Sequence, residues 1–195
     1  MVAIGAESVR FELDASTPPI ARVPPGAVLG VKTRDALDGQ VVETAGEMPR
    51  IARANPVTGP IAIDGVQAGD GIRVDILAID LAPKGYMTFQ AQPRFFAQRS
   101  RFLGFRDDLR LVLEPMIGTI GVLPANGTIT TKGAGEYGGN MDTRDVAPGS
   151  SLYLRSRVAG AGLYLGDVHA LQGDGETSGQ GVETAAEVIL RVAKA

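Results

Sequence analysis

Cysteine is missing from this 195-residue chain, and histidine occurs once, at His169. The first absence removes thiol nucleophiles, disulfides and thiolate zinc sites. The second removes a three-histidine zinc site and an H-E-x-x-H helix from any single chain. A metal held within one chain must then be bound largely by oxygen. Positive charge is not in excess either: 19 Lys and Arg stand against 22 Asp and Glu, a net charge of −3, which offers no bulk attraction to nucleic acid or to an anionic membrane. No apolar run reaches the roughly 18 residues of a membrane span, and the opening residues lack a basic stretch followed by a long apolar one. These absences lead us to expect a soluble, cytoplasmic protein with no nucleic-acid and no membrane partner.

What the chain does contain is enough apolar residue, 44%, to build a core, divided into short pieces by 26 glycines and 12 prolines. Three stretches repeat one pattern, a turn with glycine and then alternation: "VPPGAVLGVKTRDALDG", "VQAGDGIRVDILAIDLA" and "VAPGSSLYLRSRVAG". In the second, Ile72, Val74, Ile76 and Ala78 fall on one side, opposite Arg73 and Asp75. In the third, Leu152, Leu154 and Val158 oppose Tyr153, Arg155 and Arg157. A period of two marks half-buried strands, and "MIGTIGVLP" and "GTITTK" add further short candidates. "GVETAAEVILRVAKA" reads as helix by propensity or as a terminal strand by alternation. The expected fold is mainly β, packed sheets forming a sandwich or irregular barrel, with little helix. We expect a single β-rich domain over 1–195, with two intimate β subdomains as the alternative division. The stretch at 84–110 holds five of the six phenylalanines among basic residues. It reads as a long variable loop packing its aromatics on the body, on a partner subunit or over a cleft.

The lone histidine sits in "YLGDVHALQGDGETSG", where Asp167, His169, Gln172, Asp174 and Glu176 crowd together. As a strand, this segment places Leu163, Leu165, Asp167, His169 and Leu171 on one face, with Val168 and Ala170 on the other. A carboxylate in such a buried row must be paired, hydrogen-bonded or bound to a cation. A self-satisfied Asp–His pair would meet that need, but it leaves Gln172, Asp174 and Glu176 on their glycine-flanked turn unexplained. Asp35 ends another apolar row, Leu29, Val31 and Thr33. Asp142 follows Gly138, Gly139 and Asn140, a loop chemistry that lets backbone approach a ligand. Such acids with one imidazole suit a divalent cation with mixed oxygen and nitrogen ligands, whether Zn²⁺, Mn²⁺, Mg²⁺ or Ca²⁺. "GAGEYG", residues 133–138, matches G-x-G-x-x-G letter for letter, but the turn-like "GNMDTRD" after it starts no helix, so no dinucleotide site is expected.

Several of these pieces together resemble the acetamidase/formamidase family: "PPGAVLGVKTRDALDGQ", "NPVTGPIAIDGVQAGDGIRVDILAIDL", "PMIGTIGVLP", "GGNMDTRDVAPGSSLYLRS" and "GDVHALQGDGETSGQGVE". The resemblance implies a β-rich oligomer that hydrolyses short linear amides, formamide or acetamide in type, to ammonia and a carboxylate. It implies a divalent metal, Zn²⁺ first with Ca²⁺, Mg²⁺ or Mn²⁺ as alternatives, held by Asp142, Asp167, His169 and Asp35. Of the remaining motif residues, Glu176 would serve as general base, with Asp174 beside it, and Gln172 or Asn140 would hold the amide or its developing oxyanion. This chain departs from the family pattern in being shorter and in carrying Tyr137 where many relatives have histidine. Those departures keep open a scaffold with a structural metal, a second subunit supplying a C-terminal segment, and hydrolysis of another C–N bond.

Overall fold

The computed structural model describes every residue except Gly46, Gln90, Ala91, Arg99, Ser100 and Asp107, together with all their side chains but those of Thr44 and Arg106. Short strands fill it, as the punctuated alternation of the sequence dictates. The first are β1 (Val2–Ile4), β2 (Val9–Arg10), β3 (Glu12–Asp14), β4 (Ala21–Val23), β5 (Val28–Thr33), β6 (Val57–Ile63) and β7 (Gly71–Leu81). Next come β8 (Lys84–Phe89), β9 (Gln92–Ala97), β10 (Phe102–Arg106), β11 (Leu109–Val112), β12 (Met116–Gly121), β13 (Thr128–Thr130), β14 (Ala134–Gly135) and β15 (Gly138–Asn140). The last are β16 (Ser151–Arg155), β17 (Leu163–His169), β18 (Glu183–Thr184) and β19 (Ala186–Lys194). Among the described residues the helical content is two short 3₁₀ turns, Glu43–Ala45 and Asp174–Glu176, and no helix is long and apolar enough to cross a membrane.

A five-stranded sheet runs β1-β5-β19-β7-β16, and a ten-stranded one runs β14-β15-β12-β17-β18-β8-β9, with β6 branching from β17 and β2 and β4 pairing with β6. β10–β11 and β13–β3 form separate two-stranded pairs. One core cluster joins the two large sheets: Leu29, Val31, Ile72, Val74, Val188 and Leu190 from the first pack with Ile61, Ile63, Ile117, Ile120, Leu163 and Val168 from the second. In β7 the alternation holds over Ile72, Val74 and Ile76, then shifts. Leu190 pairs with Ile76 while Ile189 pairs with Ala78, so Leu77 bulges outward at 41% exposure and Ile79, not Ala78, becomes the buried residue.

The backbone corrects one expectation and resolves another. The 84–110 stretch is two antiparallel hairpins, β8–β9 and β10–β11, rather than a loop. Its aromatics are what make it a sheet: Phe96 stacks on Phe105 at 5.8 Å, Tyr86 packs on Phe95 at 5.4 Å, and Phe96 and Leu103 are buried with Ala170 and Val182. The segment that reads either as helix or as strand is β18 and β19, the latter at the centre of the five-stranded sheet. Its buried positions Ala186, Val188, Leu190 and Val192 follow the period of two. The glycine-rich "GAGEYG" closes the tight β14–β15 hairpin and leads into no helix.

Candidate functional site

β17 delivers two of the expected residues to one place. Asp167 and His169 are both buried, and His169 Nε2 lies 3.4 Å from Asp167 Oδ1. Asp167 adopts φ 55°, so the strand is not the regular ladder its letters suggest, although Asp167 and His169 still meet. The loop after β15 brings Asp142, and Gly118 on β12 makes room beneath it. A Cβ at Gly118 would stand 2.6 Å from Asp142 Oδ1 and 3.0 Å from Asp167 Oδ2. β18 adds Glu183, whose Oε2 lies 3.2 Å from His169 Nε2. Ligand atoms of Asp142, Asp167 and His169 lie within 4.8 Å of one another, as do those of His169, Glu176 and Glu183.

The hydrogen bonds give each acid one tied and one inward oxygen. Asp167 Oδ2 accepts from Asn55 Nδ2 at 3.0 Å and from Thr119 Oγ1 at 3.3 Å. Asp142 Oδ2 accepts from Asn140 Nδ2 at 2.9 Å, and Glu183 Oε1 accepts from Gly181 N at 3.2 Å. Among the described residues, Asp142 Oδ1 and Glu183 Oε2 are left buried without a hydrogen-bond partner. Buried carboxylate oxygens are costly in that state, and a cation is the partner that relieves it. His169 is set by the same logic. Its Nδ1 donates to Gln172 Oε1 at 2.7 Å, and Gln172 Nε2 donates in turn to the Asp142 carbonyl at 2.7 Å. That bond fixes the tautomer and aims Nε2 at the acids, the arrangement in which imidazole ligates a metal. The donor set and its orphaned oxygens therefore fit a divalent cation.

Electrostatics agree. Burial raises Asp142 to about 7, with Asp167 and Glu176 adding repulsion. Glu176 and Glu183 are likewise pushed up, first by burial. Burial alone would lower His169, but the Asp167 and Glu183 carboxylates beside it outweigh that and carry the imidazole to about 12. Without an ion, the acids keep a positive charge among them by holding a proton on histidine. These groups line a cleft of about 400 Å³ that also includes Tyr86, Thr88, Lys132 and Gln180. Strain concentrates here: of the six described non-glycine residues with positive φ, four, Asn55, Asp142, Asp167 and Glu176, line this cleft.

Not every expected residue joins the cluster. Asp35 caps its own turn, accepting from Leu37 N at 3.0 Å, Gly39 N at 2.9 Å and Tyr86 Oη at 2.9 Å, and it belongs to neither ligand triplet. Asp174 is exposed and lines a different depression beside Glu114 and Arg144. Asn140, which lines the cleft, and Gln172 have their amides committed to Asn55, Thr119, Asp142 and His169, so they hold the acids and the imidazole in place. Glu183, Asn55 and Thr119 escape the sequence reading. The only signal for Glu183 was that the quoted "GQGVE" ends on it.

The family model described as Acetamidase/Formamidase family matches residues 10–109 and 119–194. Over 68 residues, 34% of this chain, the sequence is 40% identical to a Schizosaccharomyces pombe protein named as a formamidase, and this stretch covers only 17% of that protein's length. Among solved structures, an acetamidase/formamidase from Thermoanaerobacter tengcongensis superposes with a TM-score of 0.95 at 34% identity, covering 99% of this chain and 69% of that one. An acetamidase from Bacillus halodurans gives 0.94 at 33%, covering 99% and 70%. A gamma lactamase from Delftia acidovorans, at 22% identity and a TM-score of 0.88, shares the fold. With the matched segments covering strands of both large sheets and the residues of the acid cluster, this chain belongs to the acetamidase/formamidase family.

Proposed function

We propose that the protein is a metal-dependent amidohydrolase that cleaves short linear amides, formamide or acetamide in type, to ammonia and a carboxylate. The observation that carries this reading is the convergence of Asp142, Asp167 and His169 around orphaned carboxylate oxygens at the base of an open cleft. Asp142, Asp167 and His169 would hold the ion, with Glu183 closing the far side; Zn²⁺ suits the imidazole and carboxylate donors best. When bound, such an ion supplies Lewis acidity toward the amide carbonyl and lowers the pKa of water.

The chain's own residues do the rest. Asn55, Thr119 and Asn140 hold Asp167 and Asp142 by their outer oxygens, so that the inner ones stay aligned without reorganisation during reaction. Gln172 keeps the imidazole in one tautomer. Glu176, half-buried on the glycine turn and raised above the ordinary carboxyl range, is suited to take a proton from water on its carboxylate and return it to the departing nitrogen. Tyr86, Thr88 and Lys132 form the outer walls, where a small amide would enter.

The test is ammonia release from formamide and acetamide by the full chain supplied with Zn²⁺ and by the same protein after chelation. We expect release that chelation abolishes and Zn²⁺ restores. Asp167→Asn, folded by circular dichroism, should lose at least about 100-fold in kcat/KM along with its metal. Full activity in exhaustively metal-free protein would reject the metal's role.

A further inference from the structure

The double hairpin β8–β11 lends Tyr86 and Thr88 to the cleft wall, and it also lies under the loop that carries Glu176. Residues 173–181 hold four glycines, 173, 175, 179 and 181, and Glu176 itself stands at φ 44°. Such a segment has little stiffness of its own. Its internal hydrogen bonds are short-range: Glu176 N to Gly173 O at 3.1 Å, Gly179 N to Glu176 O at 2.7 Å and Ser178 Oγ to Gln180 O at 3.1 Å.

Among the described residues, the loop's fastening to β8 comes from one side chain. Gln180 Oε1 accepts from Thr88 N at 2.8 Å and from Thr88 Oγ1 at 2.5 Å, while Gln180 Nε2 donates to Thr88 O at 2.5 Å. Both ends of the glutamine amide thus pair with a single residue of β8, 92 positions away, as a neighbouring strand would. The next residue continues the connection inward. Gly181 N donates to Glu183 Oε1, and Gly181 lies so close to the imidazole that a Cβ there would be 2.6 Å from His169 Nδ1. Below the loop, Met87, Phe105 and Leu111 of the hairpins face Leu171 and Val182 around a small cavity of about 160 Å³.

We propose that Gln180 is a positioning residue whose clamp on Thr88 fixes the 173–181 loop to the β8–β11 platform and so sets where Glu176 stands over the cleft. The inference rests on Glu176 as the proton-handling group of the proposed amidohydrolase. It gives the aromatic hairpins a function: they are the bench on which the catalytic loop is mounted.

The test uses the metal-loaded full chain and acetamide. Gln180→Met keeps the side chain's bulk and removes all three hydrogen bonds. We expect kcat to fall about 10- to 100-fold, since small misplacements of a reacting group cost that much, with KM within about twofold. Bound Zn²⁺ per chain should not change, and amide hydrogen exchange should accelerate over 174–181 alone. Thr88→Val with Gln180→Met should lose no more than Gln180→Met alone, because both act through one contact. Wild-type kcat in Gln180→Met, loss of metal in parallel with kcat, or unchanged exchange over 174–181 would each overturn the proposal. Should the wild type release no ammonia from either amide, the amidohydrolase reading fails. The exchange measurement then decides the clamp by itself: acceleration confined to 174–181 upholds it, and no acceleration removes it.

Discussion

Single residues set the site's tolerances. Gly118 is the sharpest case, because two carboxylates and the Asp167 carbonyl occupy the space a side chain would need. Gly118→Ala should displace Asp142 or Asp167 and lower Zn²⁺ affinity by at least about tenfold with the fold retained, as read by metal titration beside circular dichroism. An unaltered affinity would mean the acids do not meet over Gly118. At this scale sequence reading was uneven for a physical reason. Asp167, His169 and Asp142 were legible because charge in a buried row, or on a glycine loop, demands a partner. Asp35 looked equivalent, yet β5 ends at Thr33 and the following "DALDG" folds back on the Asp35 carboxylate, a local turn that alternation cannot foresee. Glu183 and Asn55 owe their roles to partners far away in the chain, and nothing in their neighbouring letters marks them.

Elements follow from periodicity where the period is unbroken. β5, β16 and the first half of β7 appear as the alternation requires, and the second half of β7 departs from it only at the Leu77 bulge. β19 was ambiguous because "AEVILRVAK" mixes good helix formers with alternating apolar residues. What decides is position: lying between β5 and β7, it must supply hydrogen bonds to both sides, which a helix cannot. The hairpins at 84–112 were harder still, since their turns carry no Asn-Gly or Asp-Gly signal and their aromatics fit a loop or a strand equally. The weight on β19 can be measured. Leu190 is fully buried in it, so Leu190→Ala should cost about 2–5 kcal/mol in denaturant unfolding. A loss under about 1 kcal/mol would show that this position is not packed as described.

At the scale of the whole molecule, the cluster couples metal, protons and stability. Asp142, Glu176 and Glu183 all have carboxyl pKa values raised by folding, so the metal-free native chain holds protons that the unfolded chain has released. For Asp142 the window runs from its ordinary 3.8 to about 7; across it, rising pH strips those protons and the metal-free fold loses stability. His169, with its proton held up to about 12, gives the same direction for ion binding, because that proton must leave Nε2 before a cation can take its place. The stabilisation given by Zn²⁺, measured as the melting temperature with excess metal minus that with chelator, should therefore grow from about pH 5 to pH 8. A difference that stays flat or shrinks over that range would contradict the assigned ligands.

The placement of β19 carries one more consequence. β5 lies near the start of the sequence and β7 well before its midpoint, while the strand that bridges them is made more than a hundred residues later. During synthesis, then, both earlier strands emerge from the ribosome with a bare edge facing the gap, open to pairing with any other extended chain. Until Ala186–Lys194 arrives, that slot is an unpaired edge on each of the two strands.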